Sequence, residues 1–97
     1  MELRDKVIVV TGGASGIGMG LCRRFHEEQV RGLVIADLNG EAASALATEL
    51  NATSVELDVR DESAIAAMVA ETESEFGQID LFCSNAGVLD LDGDDYW

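Results

Sequence analysis

Val7-Ile8-Val9-Val10-Thr11-Gly12-Gly13-Ala14-Ser15-Gly16-Ile17-Gly18 is the stretch that decides how this chain folds. Its first four residues are apolar and mostly β-branched, which predicts a buried strand. Thr11-Gly12-Gly13 then predicts a tight turn. From Gly16 the pattern changes period. Ile17, Leu21, Cys22, Phe25 and Gln29 recur at helical spacing, with Arg23, Arg24, Glu27 and Glu28 on the opposite face. A strand that runs through a glycine turn into a helix is a phosphate-binding arrangement. The helix N-terminus offers unpaired N–H groups and the positive end of its dipole, and glycine lets a phosphate approach the backbone.

The same alternation continues along the chain. Leu33-Val34-Ile35-Ala36 predicts a second buried strand, closed by Asp37, and Asn39 is placed to cap a helix running to Leu50. Ala43, Leu46, Ala47 and Leu50 form the apolar side of that helix. Val55, Leu57 and Val59 suggest a third strand ending near Asp58. Asp61 caps a third helix with the stripe Ile65, Met68, Val69, Thr72 and Phe76, and Gly77 closes it. Ile79 to Cys83 is the fourth strand expected, and it leads into Ser84-Asn85-Ala86-Gly87. The order βαβαβαβ implies one α/β domain, a Rossmann-type doubly wound parallel sheet. Right-handed crossovers and the strand order 3-2-1-4 put the first two helices on one face and the third on the other. The reversal between strands one and four opens a crevice beside the glycine turn.

Gly12, Gly16 and Gly18 are read as providing the turn, the close approach and the helix–strand packing. Asp37 lies 19 residues beyond Gly18. A carboxylate at the end of strand two accepts hydrogen bonds from ribose hydroxyls and repels a 2′-phosphate. No basic residue beside Ala14, Ser15 or Leu38 offsets that repulsion, so NAD is expected rather than NADP. Asp58, at the same edge, is a candidate acceptor for the adenine amino group, or else the cap of a turn.

The glycine spacing Thr11-Gly12-x-x-x-Gly16-x-Gly18, together with Asp37, Asp58-Val59 and Asn85-Ala86-Gly87, resembles the short-chain dehydrogenase/reductase family. The resemblance implies further cofactor contacts: Ser15 and Ile17 in the turn, Leu38 and Val59 beside the adenine, and Asn85, Ala86 and Gly87 at the far ribose. It implies hydride transfer with a small alcohol or carbonyl substrate, and family members are usually homo-oligomers. The resemblance covers only the first part of such an enzyme. The family's Ser and Tyr-x-x-x-Lys pair have no counterpart here, because the single Tyr, Tyr96, is followed only by Trp97. No catalytic residue is therefore expected in this stretch, which reads as part of a longer enzyme. Two departures stand out. Ser84 replaces a frequent Asn, and the glycine usual near Gln29-Val30 is missing, with Gly32 as the expected substitute.

Composition narrows the alternatives. The 97 residues are 47% hydrophobic and 26% charged, with ten Gly and no Pro. These are the proportions of a globular domain. Nineteen acidic against six basic residues give a net charge of −13, which argues against nucleic-acid or anionic-membrane partners. No stretch approaches the roughly 20 apolar residues of a membrane span, nor is a signal peptide legible, so the expected location is cytoplasmic. Asp90, Asp92, Asp94 and Asp95 read as a solvated tail, and no metal site is expected. Cys22 and Cys83 read as reduced core thiols. The one histidine, His26, reads as a surface residue. A stand-alone nucleotide-binding module and an S-adenosylmethionine-dependent methyltransferase are the other functions considered.

Overall fold

The computed structural model describes residues 2–14 and 16–84. Ser15, Asn85, Ala86 and Gly87 lie outside those described residues, as do Tyr96, Trp97 and the acidic tail. The elements are β1 (Val7–Thr11), α1 (Gly16–Glu27), β2 (Gly32–Asp37), α2 (Gly40–Leu50), β3 (Thr53–Glu56), α3 (Glu62–Phe76) and β4 (Leu81–Ser84). The four strands form one sheet in the order β3-β2-β1-β4. All three pairings are parallel, with Val9 opposite both Val34 and Phe82, and Ala36 opposite Val55.

Both faces of the central strands are covered, which is why β1 and β2 read as continuous apolar runs and not as alternating ones. Ile8, Val10, Leu33 and Ile35 join Cys22 and Phe25 of α1 and Ala43, Leu46, Ala47 and Leu50 of α2 in one cluster. Val9, Val34 and Ala36 join Leu57 and Met68 in the other, with Ile65, Val69 and Phe76 of α3 packed against it. The two-residue period of the strands thus sends α1 and α2 to one face and α3 to the other, as the crossover rule requires.

Helix ends follow local chemistry. Asn39 accepts from the Ala42 N–H at 3.0 Å and Asp61 from the Ala64 N–H at 3.1 Å, so both are N-caps. Gly77 closes α3 at φ 93°, with its N–H donating to the Glu73 carbonyl. Two expectations about the end of α1 need correction. α1 ends at Glu27, so Gln29 is not on its stripe. Gln29 instead takes the left-handed conformation, φ 61°, that reverses the chain after the helix. Gly32 does not substitute there: it begins β2, where a Cβ would come 2.8 Å from Cγ of Phe76.

The third strand is displaced toward the N-terminus. It spans Thr53–Glu56, because the Asp61 N–H donates to the Asp58 carbonyl at 2.9 Å and turns the chain at Val59-Arg60. Leu57 stays buried beyond the strand, its N–H donating to the Asp37 carbonyl at 2.9 Å. β4 starts at Leu81 and not at Ile79. Asp80 ties its entry to β1, with Oδ2 accepting from the Val7 N–H and its own N–H donating to the Val7 carbonyl, both at 2.9 Å.

Candidate functional site

Parallel register brings Thr11, Ala36 and Ser84 level at one end of the sheet, with Asp37 and Glu56 one residue further on. The turn after β1 leaves from this end. Gly12 adopts φ 67° and Gly16 φ 56°, values that L side chains rarely tolerate. A Cβ on Gly16 would meet nothing within 4 Å, so its glycine answers to backbone conformation and openness, not to crowding. Gly13, which the sequence places in the turn but not among the cofactor-binding glycines, is the crowded one. A Cβ there would stand 2.9 Å from Cγ2 of Ile35 and 3.1 Å from Sγ of Cys22. Gly13 therefore sets how closely the turn lies on β2 and α1. The side-by-side Gly12-Gly13 was the available signal. Gly18 is buried on α1, in line with a packing role.

The amide protons of the turn divide into two groups. Gly12 and Gly13 both donate to the Ala36 carbonyl, at 2.7 and 3.3 Å. Ala14 donates to Oδ2 of Asp37 at 3.0 Å. These bonds fasten the turn to the end of β2. The groups left to meet an anion are the N–H groups of the first turn of α1, from Gly16, Ile17 and Gly18, which have no intrahelical acceptors in any α-helix.

Asp37 stands at the centre of this arrangement. Its Oδ1 accepts from the Asn39 N–H at 2.9 Å while Oδ2 holds Ala14. An ionised carboxylate has about four lone-pair positions, so two remain for hydroxyl donors. Ile17, in the first turn of α1, and Leu38, next in the chain to Asp37, are 75% and 67% exposed, apolar surface that a flat ligand would cover. Glycine backbone at positive φ, an open space over Gly16, a held carboxylate and two exposed apolar side chains fit an adenine dinucleotide.

Asp58 lies beyond β3 in the turn to α3. Its carboxylate accepts from the Arg60 N–H and from the Arg60 guanidinium, and these bonds hold its pKa down at about 2. Val59 turns its side chain to the α3-face cluster. Cys22 is buried and donates to the Gly13 carbonyl at 3.7 Å. Burial, with Cys83 nearby, pushes its thiol up to about 11. Cys83 is half-buried and raised for the same desolvation reason. His26 is exposed on α1. Among the described residues no group of three or more His, Cys, Asp or Glu is placed to hold a metal ion. No helix among them is long and apolar enough to cross a membrane.

Sheet order, crossover faces and glycine turn together define a Rossmann-type α/β domain. The profile of the short chain dehydrogenase family matches residues 6–95, and the chain belongs to that family. It is 38% identical over 93 residues to galactitol 2-dehydrogenase of Agrobacterium fabrum, covering 94% of this chain and 36% of the relative. It is 38% identical over 90 residues to (+)-cis,trans-nepetalactol synthase of Nepeta racemosa, covering 91% and 33%. Among solved structures it superposes on a 3-ketoacyl-(acyl-carrier-protein) reductase from Brucella melitensis complexed with NADH. There the TM-score is 0.77 at 33% identity, covering 82% of this chain and 34% of the other. A short chain dehydrogenase from Bacillus anthracis gives TM-score 0.81 at 32% identity, covering 89% and 36%. The chain thus spans about a third of the length of the relatives it matches.

Proposed function

We propose that this chain is the NAD-binding portion of an oxidoreductase that moves a hydride between the cofactor and a small alcohol or carbonyl compound. The observation that carries the reading is the Asp37 carboxylate, fixed between the Ala14 and Asn39 amides at the edge of the glycine turn. The NADH held by the Brucella reductase supports a nicotinamide cofactor.

In this reading the N-terminus of α1 receives the pyrophosphate, with Gly12 and Gly16 shaping its cradle. Asp37 accepts from the adenine ribose hydroxyls, and its charge disfavours the 2′-phosphate of NADP. Ile17 and Leu38 cover the faces of the adenosine, and Asp58 stands at the adenine edge. Ser15, Asn85, Ala86 and Gly87 are assigned to the turn and to the far ribose on the strength of the family resemblance. When bound, NAD supplies the hydride acceptor or donor. The residues of this chain bind and orient it. Proton transfer to or from the substrate oxygen falls to the family's Ser and Tyr-x-x-x-Lys set, which these 97 residues do not contain. We therefore expect binding without turnover from this stretch alone, and a cytoplasmic enzyme as its setting.

Titration of the 97-residue chain with NAD, NADP and S-adenosylmethionine tests the assignment. NAD is expected to bind tightest. Preference for NADP would overturn the cofactor choice, and preference for S-adenosylmethionine would overturn the oxidoreductase reading.

A further inference from the structure

The turn between β3 and α3 is closed by backbone alone, since the Asp61 N–H donates to the Asp58 carbonyl. The side chains add something that closure does not need. Oδ1 of Asp58 accepts from the Arg60 N–H at 3.0 Å and from Nε at 3.0 Å, and Oδ2 accepts from Nη2 at 2.8 Å. One residue thus grips a single carboxylate by three donors, its backbone N–H and two guanidinium N–H groups, the latter pair in the planar fork geometry particular to arginine. Of the roughly four lone-pair positions of that carboxylate, the remaining one is on Oδ2.

Stability is a poor reason for so complete a grip. The Arg60 side chain is 81% exposed and that of Asp58 37% exposed, and ion pairs this open to water contribute little to folding. What the fork does achieve is a fixed carboxylate plane. The position matters because the Leu57 N–H donates to the Asp37 carbonyl, so the turn leaves the sheet directly beside the end of β2. Asp37 and Asp58 therefore stand on neighbouring strand exits, one fastened by backbone amides and the other by Arg60.

We infer that Arg60 is a positioning residue for adenine recognition: by fixing the Asp58 carboxylate it leaves Oδ2 as the acceptor for the exocyclic 6-amino group. This rests on the dinucleotide reading proposed above. A base carrying a 6-oxo group would set an acceptor against an acceptor, so the fork makes the site selective for adenine over hypoxanthine. A lysine at position 60 would keep the charge but not the fork, and a methionine would keep the stem and lose both.

The test is titration of the 97-residue chain, Arg60→Met and Arg60→Lys with NAD and with nicotinamide hypoxanthine dinucleotide, alongside far-ultraviolet circular dichroism and unfolding midpoints. The unmodified chain is expected to prefer NAD by about tenfold, the scale of one hydrogen bond to a charged acceptor. Arg60→Met should reduce that preference to about twofold or less by weakening NAD, with the fold unchanged, and Arg60→Lys should recover part of it. Full adenine preference in Arg60→Met would overturn the inference. So would equal weakening of both dinucleotides, which would mark a merely structural role. A chain that binds NAD with no preference over the hypoxanthine analogue would overturn the inference and leave the cofactor reading standing. A chain that binds neither would overturn both.

Discussion

Removal of the Asp37 carboxylate takes away more than the proposed ribose acceptor, because Oδ2 also holds the Ala14 amide, and Ala14 is only 7% exposed. Asp37→Ala leaves that buried N–H without its acceptor, an expected cost of about 1–3 kcal/mol. Asp37→Asn keeps an oxygen for Ala14 while discarding the charge. Both variants should narrow the gap between NAD and NADP in dinucleotide titrations, but only Asp37→Ala should lower the thermal midpoint substantially. Equal midpoints would mean that the turn does not depend on the carboxylate. Asp58 allows a second measurement at this scale. Its folded pKa of about 2 lies below the ordinary 3.8, so its pairing with Arg60 is complete above the ordinary value and is lost as pH falls through the folded one. A carboxyl-carbon NMR titration should show that low midpoint, and Arg60→Met should raise it part of the way to the ordinary range, since the backbone N–H of residue 60 still donates to Oδ1.

Among the elements, the ends carry the informative strain. Gln29 follows α1 at φ 61°, where a non-glycine side chain costs roughly 1–2 kcal/mol. Gln29→Gly should raise stability by up to about 1 kcal/mol in urea unfolding, less than the strain because glycine also gains freedom when unfolded. A loss of stability would place the strain elsewhere. The entry to β2 behaves oppositely. Gly32→Ala drives a methyl group into the ring of Phe76, the last residue of α3, and should cost about 1–3 kcal/mol. Combining it with Phe76→Leu should reduce the penalty, a non-additivity that a double-mutant cycle reads directly. That contact shows how the end of α3 is fastened to the start of β2.

At the scale of the whole molecule, the sheet separates two cores, and Cys22 belongs to the one beneath α1 and α2. Its burial and raised pKa predict that a thiol reagent at neutral pH modifies half-buried Cys83 first. Cys22 should react only as the domain opens, so its rate should follow denaturant concentration in step with unfolding. Early labelling of Cys22 would show that the α1 face opens on its own.

Much of this architecture was legible in the order of residues. Continuous apolar runs at 7–10 and 33–36 marked strands buried on both faces. Asn39, Asp61 and Gly77 marked helix ends, and the glycine spacing with Asp37 marked the candidate site proposed above. These signals are local: each depends on hydrophobic period, capping chemistry or backbone freedom within a few residues. The limits of β3, the exchange of roles between Gln29 and Gly32, the crowding at Gly13 and the grip of Arg60 on Asp58 were not legible. The first three depend on contacts between segments distant in sequence: the Asp37 carbonyl beside Leu57, Phe76 beside Gly32, and Ile35 and Cys22 beside Gly13. The fourth spans two positions, but it needs a turn that only the end of β3 against β2 creates. The sequence by itself determined a parallel α/β domain with a glycine turn and an acid at the end of its second strand. Only the tertiary structure decided which amides are spent in fastening that turn and which stay free at α1, because hydrogen-bond partners are allotted when the strands come together.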